Sequence, residues 1–399
     1  MSEIAANPKV HRGALWADAG WRAVTAAFTL NGLLFGVWAS RVPGFKESFA
    51  LSEATLGFLL LALAGGAIVS FPLAGGLSER LGASRMTVIC AIIYCPALIG
   101  LALAPTPLML GIALFIFGAL HGSMDVAMNG WGARVENRMG RATMSIFHAM
   151  FSLGAGVGAA SGYVAVRMGL APISHFAITA VLGGVIALAM MIPAQEPRPA
   201  VLSATGATAA KTRLFALPTG RLALVGLVAF AISMGEGAMA DWSAVFLARL
   251  PEVSEAQAAL GYAAFSLMMV LTRMSGGFFI ERLGPVRVTR LSGLIAAFGL
   301  SVVIATGNLV VALFGFALIG IGYAVVMPLV FSRAANDPDM APGPAIASVA
   351  TVGYGGMLLG PPVVGFVAQL TGLPVSFAML AGLALCAVAL APVLRVGAR

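Results

Sequence analysis

Charge is what this 399-residue chain has least of: Asp, Glu, Lys and Arg together make up 10% of it, against roughly 25% in soluble globular domains. A water-facing surface cannot be built from so little charge, and 60% hydrophobic residues with a mean hydropathy of +0.99 mark a polytopic membrane protein. Cysteine is nearly missing too. Cys90, Cys95 and Cys386 all lie in apolar runs, so neither a disulfide framework nor a zinc site is supported, and no metal or cofactor is expected. No Gly-x-x-x-x-Gly-Lys-Ser/Thr run occurs, which leaves an ion gradient or the solute itself as the energy source. Residues 1–20 are polar and lack an apolar core segment, so no cleaved signal peptide is evident and the first span is expected to be its own signal.

Apolar runs of about 18 residues or more fall near 22–40, 54–76, 86–104, 107–131, 143–166, 173–193, 220–241, 257–280, 288–306, 309–331, 344–368 and 374–394. The expectation is an all-α membrane protein of twelve transmembrane helices. A formal net charge of +8 raises the question of nucleic acid, but that reading needs a basic face on a soluble domain. The positions answer otherwise. With both termini in the cytoplasm, only Arg41, Lys46, Arg167 and Arg249 of the 23 Lys and Arg residues fall outside, a strong positive-inside bias. The Pro-, Ala- and Thr-rich stretch 194–219 reads as a cytoplasmic linker between six-helix halves at 1–193 and 220–399. The halves repeat each other: Gly75-Gly-Leu-Ser-Glu-Arg-Leu-Gly-Ala-Ser-Arg85 returns as Gly277-Phe-Phe-Ile-Glu-Arg-Leu-Gly-Pro-Val-Arg287, and Ser52-Glu-Ala54 as Ser254-Glu-Ala256. Six spans separate the copies, so the halves share one orientation about an axis along the membrane normal.

Within the fourth span, His121, Asp125 and Asn129 are four residues apart and form one polar stripe. An Asp at the middle of a membrane helix costs about 2.5 to 3.5 kcal/mol, so such residues usually face a bundle interior or a water-filled cavity. The competing reading is that Asp125 only braces a neighbouring helix. On the fifth span Ser145, His148 and Ser152 make a second stripe, beside a face of Gly154, Gly156, Gly158 and Gly162 suited to tight packing. Glu236, flanked by Gly235 and Gly237, is a second intramembrane acid, for the pathway or for an interhelix bond. Asp241 and Trp242 read as interfacial, and Arg273 as snorkelling to the cytoplasm. Tyr323, Met327 and Phe331 stand 202 positions after His121, Asp125 and Asn129, so the titratable chemistry concentrates in the first half.

The element at Gly75, Leu77, Glu79, Arg80, Gly82 and Arg85 resembles the signature loop of the major facilitator superfamily, with Glu79 where that family more often has Asp. Glu281 and Arg282 belong to its weaker second copy. Gly82 can supply a positive φ at a helix end, Gly75 a close helix approach, and Glu79 can hold a cytoplasmic Arg or a helix N-terminus. The element is expected to be a conformational latch. Asp125 and Asn129, followed by Ser145-Ile-Phe-His-Ala-Met-Phe-Ser-Leu-Gly154, are similar to the fucose:proton symporter branch and to bacterial YbjJ-like members. In that branch the fourth-helix acid takes part in sugar binding and proton coupling, a role the resemblance gives to Asp125. A further acid near the outer end of the first span has no counterpart, and Asn31 and Trp38 stand there instead.

The expectation is therefore a secondary transporter of the bacterial inner membrane, working as a monomer by alternating access. Protons are the expected coupled ion, because His and carboxylate groups titrate in ranges that burial and neighbouring charge can shift. Asp125, His121 and Glu236 are the coupling candidates. Asn129, Asn31, Trp38, His148, Ser152, Tyr323 and Tyr354 are the candidates for binding a small polar, sugar-like solute taken up by symport. The alternatives are proton-driven export of drugs or amphipathic metabolites, and a non-transporting receptor of the same fold. An enzyme is not supported, since His121 and Asp125 have no nucleophile partner or substrate signature.

Overall fold

The computed structural model describes residues 15–141, 143–197, 218–340 and 342–395. The N-terminal residues 1–14, most of the 194–219 linker, the side chain of Ser145 and the last four residues lie outside the described set. Helices account for nearly everything else: α1 Ala19–Ser48, α2 Glu53–Leu81, α3 Ala83–Ala102, α4 Pro107–Met139, α5 Met144–Arg167, α6 Pro172–Met191, α7 Arg221–Leu247, α8 Glu255–Ala258, α9 Leu260–Ala305, α10 Leu309–Tyr323, α11 Val326–Ala335, α12 Pro342–Thr371 and α13 Leu373–Leu390.

The sequence repeat reappears as a repeat of helix starts and of the residues that set them. α1 and α7, α2 and α8, and α4 and α10 each begin 202 positions apart. Ser52 and Ser254 both cap their helices, accepting from Thr55 N and Gln257 N, while Thr106 and Asn308 accept from Met109 N and Val311 N. These oxygens satisfy backbone donors that a helix start leaves free. Gly82 and Gly284 carry the same positive-φ backbone, 88° and 74°, a conformation that glycine adopts without steric cost.

Among the described residues eleven helical stretches are long and apolar enough to cross a membrane, against the twelve expected. The difference lies at 257–306, read from sequence as two spans, where Glu255–Ala305 is one helical stretch of 51 residues. Its backbone is nevertheless non-helical at Gly284. At 1.5 Å per residue α9 would be about 69 Å long if straight, over twice a hydrocarbon core of about 30 Å.

Small residues let the helices touch through their backbones. A Cβ on Gly32 or Gly36 of α1 would fall 2.0 Å from the carbonyl oxygens of Phe151 and Ala155 on α5, and Gly154 and Gly158 return the contact from the α5 side. α2 meets α4 in the same manner at Gly66 and Gly118, and α7 meets α12 at Gly237, Gly356 and Gly360. Without a hydrophobic driving force inside lipid, such close packing is what holds helices together.

Contacts between the two repeats run along one part of the bundle. Gly57 of α2 meets Gly365 of α12, Phe58 stacks edge-on against Phe366, Ala54 N donates to Gln369, and Gly156 and Gly162 of α5 face Ser266 and Ala259. α1 packs against α7, and both are buried along most of their length.

Candidate functional site

Where α1, α2, α4 and α5 face α7, α9 and α12, the helices leave a cavity of about 60 Å³. Its polar lining is His121, Ser152, Glu236, Asp241, Tyr262 and Ser266, within an apolar wall that includes Phe35, Phe151, Phe265 and Met269. The volume admits a few water molecules and is well under the roughly 300 Å³ at which small-molecule pockets begin.

The strongest polar constellation at this cavity is one the sequence did not predict as a unit. Arg273 of α9 donates through Nη2 to Glu236 Oε1 of α7 at 3.0 Å, through Nη1 to Ser152 Oγ of α5 at 2.9 Å, and through Nε to the Ala324 carbonyl at 3.2 Å. Arg273 thus does not snorkel to a surface. The carboxylate and two further acceptors hold it inward, with its side chain 14% exposed. The Ala324 carbonyl is available because its i+4 partner would be Pro328, which has no N–H, and the stretch Leu309–Ala335 breaks between Tyr323 and Val326, whereas α4, its counterpart in the first repeat, is continuous through the corresponding positions. Ser152 also donates to the His148 carbonyl at 3.3 Å, so three helices and both repeats meet at one guanidinium.

The α4 stripe divides. Asn129 Nδ2 donates to Asp125 Oδ1 at 3.1 Å and to the Asp125 carbonyl at 2.9 Å, an intrahelical pair that orients the carboxylate. His121 turns the other way: its Nδ1 is 3.0 Å from the Tyr94 hydroxyl on α3, and its ring stacks on Phe35 at 5.0 Å. Tyr354 on α12, 39% exposed, lies within electrostatic reach of both Asp125 and Glu236. His121, Ser152 and Glu236 line the cavity itself. Asp125, Asn129 and Tyr354 do not line it.

The remaining candidates are packed around this centre. Asn31 is fully buried, its amide facing the Met128 sulfur at 3.7 Å and its Oδ1 unpartnered. His148 meets Phe28 edge-on at 5.2 Å. The Tyr323 hydroxyl is buried without a partner, against Gly235, next to Glu236. Trp38 is 1% exposed and packs on Phe45. Asp241 and Trp242, expected at the interface, are 2% and 0% exposed. α7 continues to Leu247, beyond the expected end at 241, so this turn is enclosed by neighbouring helices, and the Trp242 indole donates to the Pro361 carbonyl at 2.8 Å.

Comparison with known proteins decides the family. Residues 23–342 match the model of the Major Facilitator Superfamily. The chain is 44% identical over 377 residues to the uncharacterized transporter y4wD of Sinorhizobium fredii, covering 94% of this chain and 98% of that protein. The chain belongs to the major facilitator superfamily. It is a membrane transporter by family, not an enzyme. The crystal structure of the nucleoside transporter NupG superposes with a TM-score of 0.73 at 16% identity over 94% of this chain and 99% of that one. A single-substitution variant of the E. coli fucose:proton symporter FucP gives 0.59 at 18% identity, over 94% and 98%. Both likenesses are of fold.

The residues expected to form a latch make few contacts among the described residues. Gly82 has the expected positive φ. Gly75, expected to allow a close helix approach, faces open space, as does Gly277. Glu79 and Arg80 are exposed, and Glu79 has no ion-pair partner among the described residues. Arg282 lies over the Phe278 ring at 4.0 Å, and Glu281 is exposed. The reason is geometric: the contacts joining the repeats lie toward the other end of the bundle.

There, a cluster escaped the sequence reading of this superfamily member. Arg41, 3% exposed, donates to His175 Nδ1 at 3.3 Å, to the Leu170 carbonyl at 2.7 Å and to Glu255 Oε1 at 3.4 Å. His175 Nε2 is 2.9 Å from Ser161 Oγ. Arg41 was visible in the sequence as one of four basic residues on the outer side, but nothing local marks Glu255 or His175 as its partners.

Proposed function

We propose that this superfamily member is a proton-coupled secondary transporter that moves a small polar, sugar-like solute across a bacterial inner membrane by alternating access. The reading takes α9 as two spans meeting at Gly284, which gives twelve spans in halves 1–193 and 220–399, a cytoplasmic linker at 194–219 and cytoplasmic termini. The 202-residue repeat of helix starts and the positive φ shared by Gly82 and Gly284 support it.

The observation that carries the reading is the Ser152–Arg273–Glu236 bridge at the wall of a cavity between the repeats. A rocking of one half against the other must break or remake that bridge, and a solute with hydroxyl groups can replace Ser152 as an acceptor for the guanidinium. Asp125, oriented by Asn129, and Glu236 are the carboxylates available to carry a proton, while His121, His148, Tyr323 and Tyr354 offer further polar contacts. Asn31 and Trp38 act from behind the wall by shaping α1. The signature loop, from Gly75 to Arg85 with Glu281 and Arg282 in the second copy, engages when its own end closes.

The test is solute-driven proton movement in proteoliposomes. Asp125→Asn keeps size and hydrogen bonding but cannot titrate, so it is expected to abolish proton movement while solute exchange survives. Coupled proton flux at wild-type stoichiometry in Asp125→Asn returns the stripe to helix packing. The apolar wall, with Phe35, Phe151, Phe265 and Met269, supports a second reading, export of an amphipathic compound by antiport. A thermal-shift comparison of sugars with lipophilic cations on the purified protein separates the two.

A further inference from the structure

Asp241 is the one carboxylate at the cavity without a cationic partner among the described residues. It lines the cavity, is 2% exposed, and its Oδ1 accepts no hydrogen bond. Glu236, a turn and a half earlier on the same helix, is neutralised by Arg273. The groups around Asp241 from each packed element can be named. From α1 comes the Trp38 indole, whose N–H faces the carboxyl and has no other partner among the described residues. From α9 come the Tyr262 hydroxyl, within electrostatic reach of Asp241, Glu236 and Arg273, and the Arg273 guanidinium committed to Glu236. From α4 comes His121, whose Nδ1 is held by Tyr94. On α7 itself Ser243 Oγ is buried and unpartnered.

Position along α7 gives the group its meaning. Beyond Asp241 the two repeats are in contact: Gly365 of α12, backed by Trp242, packs on Gly57 of α2, and Arg41 of α1 reaches Glu255. Asp241 therefore sits at the closed end of the cavity, on the α1–α7 crossing that must part for that end to open. An isolated ionised carboxylate removed from water is strongly disfavoured unless it is paired or takes up a proton. The closed crossing supplies the Trp38 N–H but no cation among the described residues, so it is compatible with a neutral Asp241. Opening it brings water, which solvates the ionised form.

We propose that Asp241 is a proton-binding site of this transporter, and that the outer end of α1 and α7 closes only when Asp241 carries its proton. The proposal adds to the proton-coupled reading, in which Asp125 and Glu236 were the candidates, but its test needs neither solute nor flux.

The experiment uses the full chain in nanodiscs, with Cys90, Cys95 and Cys386 replaced and spin labels at Ser48→Cys and Glu252→Cys, both exposed at that end. Raising the pH is expected to move the label-to-label distance distribution from a short to a long population. Asp241→Asn, which is permanently neutral and nearly isosteric, is expected to stay short at every pH. Asp241→Glu is expected to keep the shift with a displaced midpoint. A wild-type distribution that does not move with pH, or an Asp241→Asn distribution that moves as wild type does, overturns the proposal. A response to Na⁺ at fixed pH in place of the pH response overturns the proton assignment. Failure of the proton-coupled reading registers elsewhere, as a lack of solute-driven proton movement, and leaves this distance measurement intact.

Discussion

Arg273 illustrates how a residue's role follows from which acceptors surround it. A guanidinium has five donors and no acceptor, and Arg273 finds a carboxylate, a hydroxyl and a freed helix carbonyl within reach. Sequence placed Arg273 near a helix end and Glu236 in mid-span, but the neighbour relation between α7 and α9 is tertiary and no local pattern encodes it. Trp242 was misread for a related reason: a Trp near the end of an apolar run suggests a headgroup, and only the longer α7 puts it inside. The first prediction follows from the pair. Removing one partner of a buried ion pair leaves a charge uncompensated, costing about 3 to 5 kcal/mol at full burial, and less here because both side chains retain some exposure. Arg273→Met is expected to lower thermal stability more than the double variant Arg273→Met, Glu236→Gln, with a coupling of about 1 to 3 kcal/mol in a double-mutant cycle. Strictly additive losses dismiss the pair as an energetic unit.

The helices themselves were the most legible part of the chain, because long apolar runs separated by charged turns leave few alternatives and three pairs of helix starts recur at 202 residues. One feature of the second repeat was not legible: the interruption after Tyr323. The glycine face on α5 was readable as a packing surface, though not its partner. Gly154 and Gly158 of that face meet α1 while Gly156 meets α9, and the α1 fit is tight enough to test. A methyl group at Gly36 would lie 2.0 Å from the Ala155 carbonyl oxygen, whereas one at Gly76 meets no atom within 4 Å. Gly36→Ala is accordingly expected to force α1 and α5 apart and lower the melting temperature in detergent, in the range of about 1 to 3 kcal/mol typical of overpacking. Gly76→Ala is expected to be neutral or slightly stabilising, since Ala is a better helix former. Equal melting temperatures for the two variants would show that the α1–α5 approach carries no stability.

At the scale of the whole molecule, the closed end is held by contacts of unequal strength. Apolar and backbone contacts between the repeats lie at Ala54, Gly57 and Phe58, and the ion pair between them among the described residues is Arg41 to Glu255. Arg41 is the poorer residue to remove, because it also holds His175 and the Leu170 carbonyl within the first repeat, so its loss would loosen that half as well as the junction. Glu255→Gln is cleaner. The Glu255 side chain is 32% exposed, so solvent screens the pair and its worth is about 1 kcal/mol at most. A shift of that size changes a two-state population by up to about fivefold. The readout is a cysteine at Ser266, which lines the cavity, in a background lacking the three native cysteines. If opening is fast relative to the thiol reaction, the labelling rate from the outer side follows the open population. Glu255→Gln is expected to raise that rate by a factor of about two to five and leave labelling from the opposite side equal or slightly lower. An unchanged rate assigns closure of this end entirely to the apolar contacts, and a rise on both sides means that Glu255→Gln loosens the bundle as a whole.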